Sequence, residues 1–105
     1  MKKTILVVDD SRLNLAIARD LLSGEYCVET VDSGENVFIY LEENEPDLVL
    51  LDIQMPGMDG FEVMRRLKES RKWKGIPVIF LTADRTEKTE ETCFQMGAVP
   101  VQLQD

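Results

Sequence analysis

Short apolar runs that stop at a polar residue recur along this chain, and each is followed by a longer amphipathic stretch. The runs are Thr4–Val8, Tyr26–Val31, Leu48–Leu51, Val78–Leu81 and Val99–Leu103. They are too short for helices, and β-branched residues such as Val28, Thr30 and Val31 favour extended backbone. A strand that is apolar throughout is covered on both faces, as happens when helices sandwich a parallel sheet. The stretches between the runs read as those helices. Asp10 or Ser11 can cap one that ends near Leu22, with Leu15, Ala18 and Leu22 on its inner side. A second spans Gly34 to Glu43 and carries Val37, Phe38 and Leu41. Asp59 caps a third with Phe61, Met64 and Leu67 inside, and a fourth is predicted from Thr86 to Met96, stopping at Gly97. Pro56-Gly57-Met58-Asp59-Gly60 is a loop with two glycines available for positive φ. Strands alternating with helices predict an α/β three-layer sandwich with right-handed crossovers. The expected sheet is parallel and five-stranded, in the flavodoxin-like order 2-1-3-4-5, within one domain covering residues 1–105.

Charge and composition narrow the function. A net charge of −8 leaves no basic field for nucleic acid. The densest basic segment, Arg65-Arg66-Leu67-Lys68 with Arg71, Lys72 and Lys74, is interspersed with Glu62 and Glu69 and reads as a solvated helix face. No apolar run approaches the ~20 residues of a membrane span, and nothing after Met1-Lys2-Lys3-Thr4 reads as a signal peptide, so a cytoplasmic location is expected. Cys27 and Cys93 lack a CxxC partner and are predicted to be small buried hydrophobes. The chain has no histidine, which sets aside zinc sites and histidine-based catalysis.

Three strand ends carry the chemistry: Val8-Asp9-Asp10-Ser11, Leu51-Asp52-Ile53-Gln54 and Leu81-Thr82-Ala83. In the expected order the first and third strands flank the point where strand order reverses, where such sheets bind ligands. Taken singly, each has a plainer reading: Asp9-Asp10 as a helix cap, Asp52 as a turn former before Pro56-Gly57, Thr82 as a strand end. Together they put three carboxylates and a hydroxyl at one edge, where mutual repulsion calls for a cation or a raised pKa. Mg²⁺ takes one or two carboxylates and fills its octahedron with other oxygens. Asp10 and Asp52 can supply the carboxylates, the Gln54 backbone carbonyl a third ligand, and Asp9 an outer hold through water. Asp52 is also the candidate nucleophile for phosphorus, giving an acyl phosphate, with the Thr82 hydroxyl as a donor to the transferred group.

In this order, the residues resemble the receiver domain of two-component response regulators from Lys3 to Ala98. The resemblance rests on Asp9-Asp10, the segment Leu51-Asp52-Ile53-Gln54-Met55-Pro56-Gly57-Met58-Asp59-Gly60, Ile79-Phe80-Leu81-Thr82-Ala83 and Met96-Gly97-Ala98. It implies the CheY-like form of the fold, Asp52 as phosphoacceptor, Asp9 and Asp10 organising Mg²⁺, and Thr82 as the switch hydroxyl. It implies a phosphohistidine donor on a sensor histidine kinase or a histidine phosphotransfer protein, and positions Gln54 and Asp84 as tuners of phosphate lifetime. The chain departs from the family at its end. Where an aromatic switch residue and then lysine-proline are expected, the matching positions hold Val101, Gln104 and Asp105, and the last helix is missing.

The reading that follows is a phosphoacceptor signalling module rather than an enzyme acting on a separate substrate. Its output runs through an unknown partner protein or an effector domain outside this sequence. The alternative is a phosphorylation-independent docking or dimerisation module in which the altered tail has disabled the switch. An open sheet face beside the first helix is compatible with a homodimer.

Overall fold

A computed structural model describes residues 2–82 and 99–102 of the chain. Its elements are β1 (Thr4–Val8), α1 (Arg12–Leu22), β2 (Cys27–Val31), α2 (Gly34–Glu43), β3 (Leu48–Asp52), α3 (Gly60–Glu69), β4 (Val78–Thr82) and β5 (Val99–Gln102). The strands form one parallel sheet in the order β2-β1-β3-β4-β5, as expected. Strand limits differ from the sequence reading by a residue: Tyr26 lies outside β2, while Asp52 and Thr82 belong to their strands. The expected helix at Thr86–Met96, together with Cys93, Asp84, Leu103, Gln104 and Asp105, falls outside the described residues.

Local chemistry sets the helix starts. The Ser11 hydroxyl accepts from the Asn14 amide at 3.3 Å, that of Ser33 from Asn36 at 3.2 Å, and Asp59 Oδ1 from Glu62 at 2.9 Å. Each satisfies one of the amides that a first turn leaves without an intrahelical partner. Ser11, not Asp10, is thus the cap of α1. On α3, Arg65 pairs with Glu62 at 2.6 Å and Glu69 at 2.7 Å, all on the exposed side. The basic segment is the solvated face that its interspersed glutamates predicted.

The two faces of the sheet are covered unequally. Leu6, Val8, Val49, Leu51, Val78 and Phe80 point to one side, where Val37 and Leu41 of α2 and Val63, Met64 and Leu67 of α3 bury them. Phe61 packs edge-on against Phe80 with centroids 5.4 Å apart, and Phe38 lies 5.5 Å from Trp73. On the other side, Ile5, Val7 and Val28 are buried under Leu15, Ala18 and Leu22 of α1. Leu48, Leu50, Ile79 and Leu81, alternating with the sealed residues, are only half-buried. There α1 and the sheet enclose a cleft of about 210 Å³ lined by Val7, Ile17, Ala18, Leu21, Leu50 and Leu81.

Two further ties were not foreseen from sequence. Asp47, just before β3, both donates from its amide to the Thr4 carbonyl and accepts from the Thr4 amide, each at 2.8 Å. This fixes the register of β3 on β1. Arg19 reaches across from α1 to the Val28 carbonyl at 3.1 Å and the Thr30 hydroxyl at 3.3 Å, clamping the helix to β2.

One expectation is corrected. Cys27 is exposed rather than buried. It alternates with the buried Val28, so it faces the other side of β2, where Val31 is the residue of that strand packed against the core. As an edge strand, β2 is paired on one side only, by β1.

Candidate functional site

Asp9 lies one residue past β1 and is 2% exposed. Its amide donates to the Val31 carbonyl at 3.2 Å, carrying the β1–β2 ladder one step beyond the strand. Both carboxylate oxygens have donors on the start of α1. Oδ1 accepts from the Ser11 amide at 2.9 Å, and Oδ2 accepts from Asn14 Nδ2 at 3.2 Å. A carboxylate beside a helix N-terminus also gains from the positive end of the helix dipole. Asp10, next in sequence, is exposed.

Asp52 closes β3, opposite Leu81 of β4, and is half-buried. The sheet register therefore brings the last residue of β4, Thr82, to the same edge. The chain bends back after Asp52, so that the Gln54 amide donates to Asp52 Oδ1 at 3.2 Å. One carboxylate oxygen from each of Asp9, Asp10 and Asp52 lies within 4.8 Å of the others. Burial, and next the Asp9 charge, push the Asp52 carboxyl up to about 6; the Gln54 hydrogen bond opposes this, and Asp10 adds to the rise. Among the described residues, no lysine or arginine forms an ion pair with any of the three.

Glycine fixes the loop after Asp52 in two different ways. Gly57 has φ of +75°, a conformation costly for any side chain. Gly60 does not have positive φ, contrary to the sequence reading; its requirement is steric. Its amide donates to the Ile53 carbonyl at 2.9 Å, and a Cβ there would meet the Asp52 carbonyl oxygen at 2.4 Å and the Ile53 Cα at 2.8 Å. The start of α3 is thus pressed against the peptide that carries Asp52.

The structure brings together Asp9, Asp10 and Asp52 as the sequence predicted, with Gln54 beside them as an amide donor. Sequence reasoning missed Asn14. The available signal was its place in the first turn, three residues after the Ser11 cap, where a side chain can turn back toward the strand end.

A parallel sheet with three carboxylates at the carboxyl edge between its first and third strands defines a flavodoxin-like α/β protein with an acidic site at its switch point. Residues 5–101 match the response regulator receiver domain, and the chain belongs to that family of two-component signalling proteins. It is 38% identical to the polar-differentiation response regulator DivK of Brucella ovis over 99 residues, covering 92% of this chain and 80% of that one. It is 42% identical over 96 residues to a probable cyclic di-GMP phosphodiesterase of Vibrio cholerae, covering 91% of this chain but only 22% of that protein. Among solved structures, the N-terminal domain of a response regulator receiver protein from Methanoculleus marisnigri superposes with a TM-score of 0.87 at 37% identity, over 96% of this chain and 84% of that one.

Proposed function

We propose that this chain is a Mg²⁺-dependent phosphoacceptor in which Asp52 takes a phosphoryl group from a phosphohistidine and thereby changes affinity for a partner. The observation that carries the proposal is Asp52 itself. It is half-buried at the sheet edge, within 4.8 Å of two other carboxylates, with its pKa raised to about 6. A carboxylate with that pKa is ionised at neutral pH yet more basic than an ordinary aspartate, which suits it to attack phosphorus. An Asp52 oxygen forms the new O–P bond as the donor's N–P bond breaks. The electron pair stays with the donor imidazole, which takes up a proton. The product is an aspartyl phosphate on Asp52.

The donor set fits a hard divalent cation better than a softer metal, since it is all oxygen and lacks countercharge among the described residues. Asp10 and Asp52 would hold Mg²⁺ directly with the Gln54 carbonyl, and Asp9 through water. Bound Mg²⁺ would offset the repulsion between an anionic nucleophile and an anionic phosphoryl group. Thr82, at the end of β4, is assigned the hydroxyl that answers to the phosphoryl group, with loop rearrangement as the output. The donor is a sensor histidine kinase or a histidine phosphotransfer protein; the receiver of the signal is a partner protein or an effector domain.

The test is intact-mass measurement after incubation with acetyl phosphate, with and without Mg²⁺, beside Asp52→Asn. A Mg²⁺-dependent gain of one phosphoryl group, lost in the variant, is the expected result. The half-covered sheet face along Leu50 and Leu81 favours a second reading, a docking module indifferent to phosphorylation. No mass gain in a folded protein, with partner binding unchanged in Asp52→Ala, would put that reading first.

A further inference from the structure

Asp9 is the most buried of the three carboxylates, and both its oxygens already accept hydrogen bonds from the first turn of α1. The Ser11 bond comes from the backbone and survives any substitution that keeps the helix. The other depends on one side chain, Asn14. An aspartate carboxylate can only accept, so the Asn14 amide must present its NH₂ group to Oδ2. Asn14 is otherwise exposed, and the Ser11 hydroxyl holds its backbone amide. Its backbone therefore belongs to the cap of α1, while its side chain points back to the acidic edge.

We propose that Asn14 is a positioning residue for the acidic site: by occupying Asp9 Oδ2 it holds that carboxylate in an outer-shell orientation for the divalent cation. The inference rests on the Mg²⁺-dependent reading given above. Without Asn14, Asp9 keeps one fixed oxygen and can turn about it. The oxygen left free then wanders from the cation's water shell. That loss of orientation weakens cation binding, because a donor behind a metal-holding carboxylate sets its aim. The helix itself stays capped.

The experiment is calorimetric titration of the whole chain with MgCl₂ at pH 7.5, comparing wild type, Asn14→Ala and Asn14→Asp, with thermal melts of each in EDTA. Asn14→Asp keeps the shape, removes the donor and sets a like charge against Asp9. The expected result is about a tenfold rise in the Mg²⁺ Kd for Asn14→Ala and a smaller rise for Asn14→Asp, whose added charge attracts the cation although its lost donor still frees Asp9. Phosphorylation from acetyl phosphate should return to within about twofold of wild type when Mg²⁺ is saturating, as expected of a residue that aims a carboxylate rather than touching the phosphoryl group. A purely structural role would lower the metal-free melting temperature and leave Kd unchanged, and that pattern overturns the proposal. A wild type that binds no Mg²⁺ overturns the phosphoacceptor reading together with this one; binding with equal Kd in all three chains overturns only the role of Asn14.

Discussion

The carbonyl oxygen of Asp52 lies 2.4 Å from where a Cβ on Gly60 would stand, so the start of α3 and the end of β3 touch backbone to backbone. The residue proposed to carry the phosphoryl group is thus set in place by a neighbour that contributes no side chain. Gly60→Ala cannot be relieved by a rotamer change, because both atoms it would strike belong to the main chain. It should destabilise the fold by about 2–3 kcal/mol in urea titration and slow phosphorylation of the folded fraction. An unchanged midpoint would show that α3 can slide away at little cost.

Asp52 makes stability depend on pH with a definite sign. Its carboxyl holds a proton up to about pH 6 in the folded chain, against a usual value of 3.8. Between these limits the native state binds more protons than the unfolded chain, so this group's contribution to stability falls as pH rises through that window. Asp52→Asn removes the burden and should stabilise the metal-free protein at pH 7.5. Solvent screening of a half-exposed group reduces the gain to about 1 kcal/mol. At pH 4 the gain should shrink toward zero. Melting curves at the two pH values decide it.

Mg²⁺ should act on the same charges from the other direction. At about ten times its Kd, the metal should raise stability by about 1.4 kcal/mol at pH 7.5. The gain should fade toward pH 5, where Asp52 takes up its proton and competes with the metal. Removal with EDTA should reverse it. A melting temperature that ignores Mg²⁺ at neutral pH would count against the assigned donor set.

Unequal covering of the sheet predicts unequal costs for truncating neighbours in β3. Leu51 is fully buried beneath α2 and α3, and Leu50 is half-buried beside α1. Leu51→Ala should cost about 3 kcal/mol or more, and Leu50→Ala roughly half as much, in chemical unfolding. Equal costs would mean that the α1 side is packed as tightly as the other.

Cys27 should react in the native state. Peptide mapping after brief treatment with iodoacetamide should find it alkylated without denaturant, since it is exposed at the start of an edge strand.

The strands and three helices of the described chain were legible because their signals are local. Caps at Ser11 and Asp59, apolar runs of strand length and the carboxylates that end them all lie within a few neighbours. Asp9, Asp10 and Asp52 could be placed together because the parallel order brings the ends of β1 and β3 side by side. What the sequence hid was contact between distant residues. The need for glycine at position 60 comes from Asp52 and Ile53, not from its own φ. The Asp47–Thr4 pair joins residues 43 apart. Cys27 looked buried because a strand-like run does not say whether it lies at the centre or the edge of a sheet.

Helix α1 has no fully buried residue, and its N-terminal turn supplies both donors that orient Asp9. The segment that shapes the acidic site is therefore held by shallow apolar packing and the two bonds of Arg19 rather than by the deep core. In hydrogen exchange, the amides of α1 should open well before those of β1 and β3, at a free energy below that of global unfolding. Each such opening would disassemble the proposed cation site while the rest of the sheet stays folded. A cation that binds through Asp9 should slow that opening, so that occupancy of the site appears as amide protection along a helix that never touches the metal.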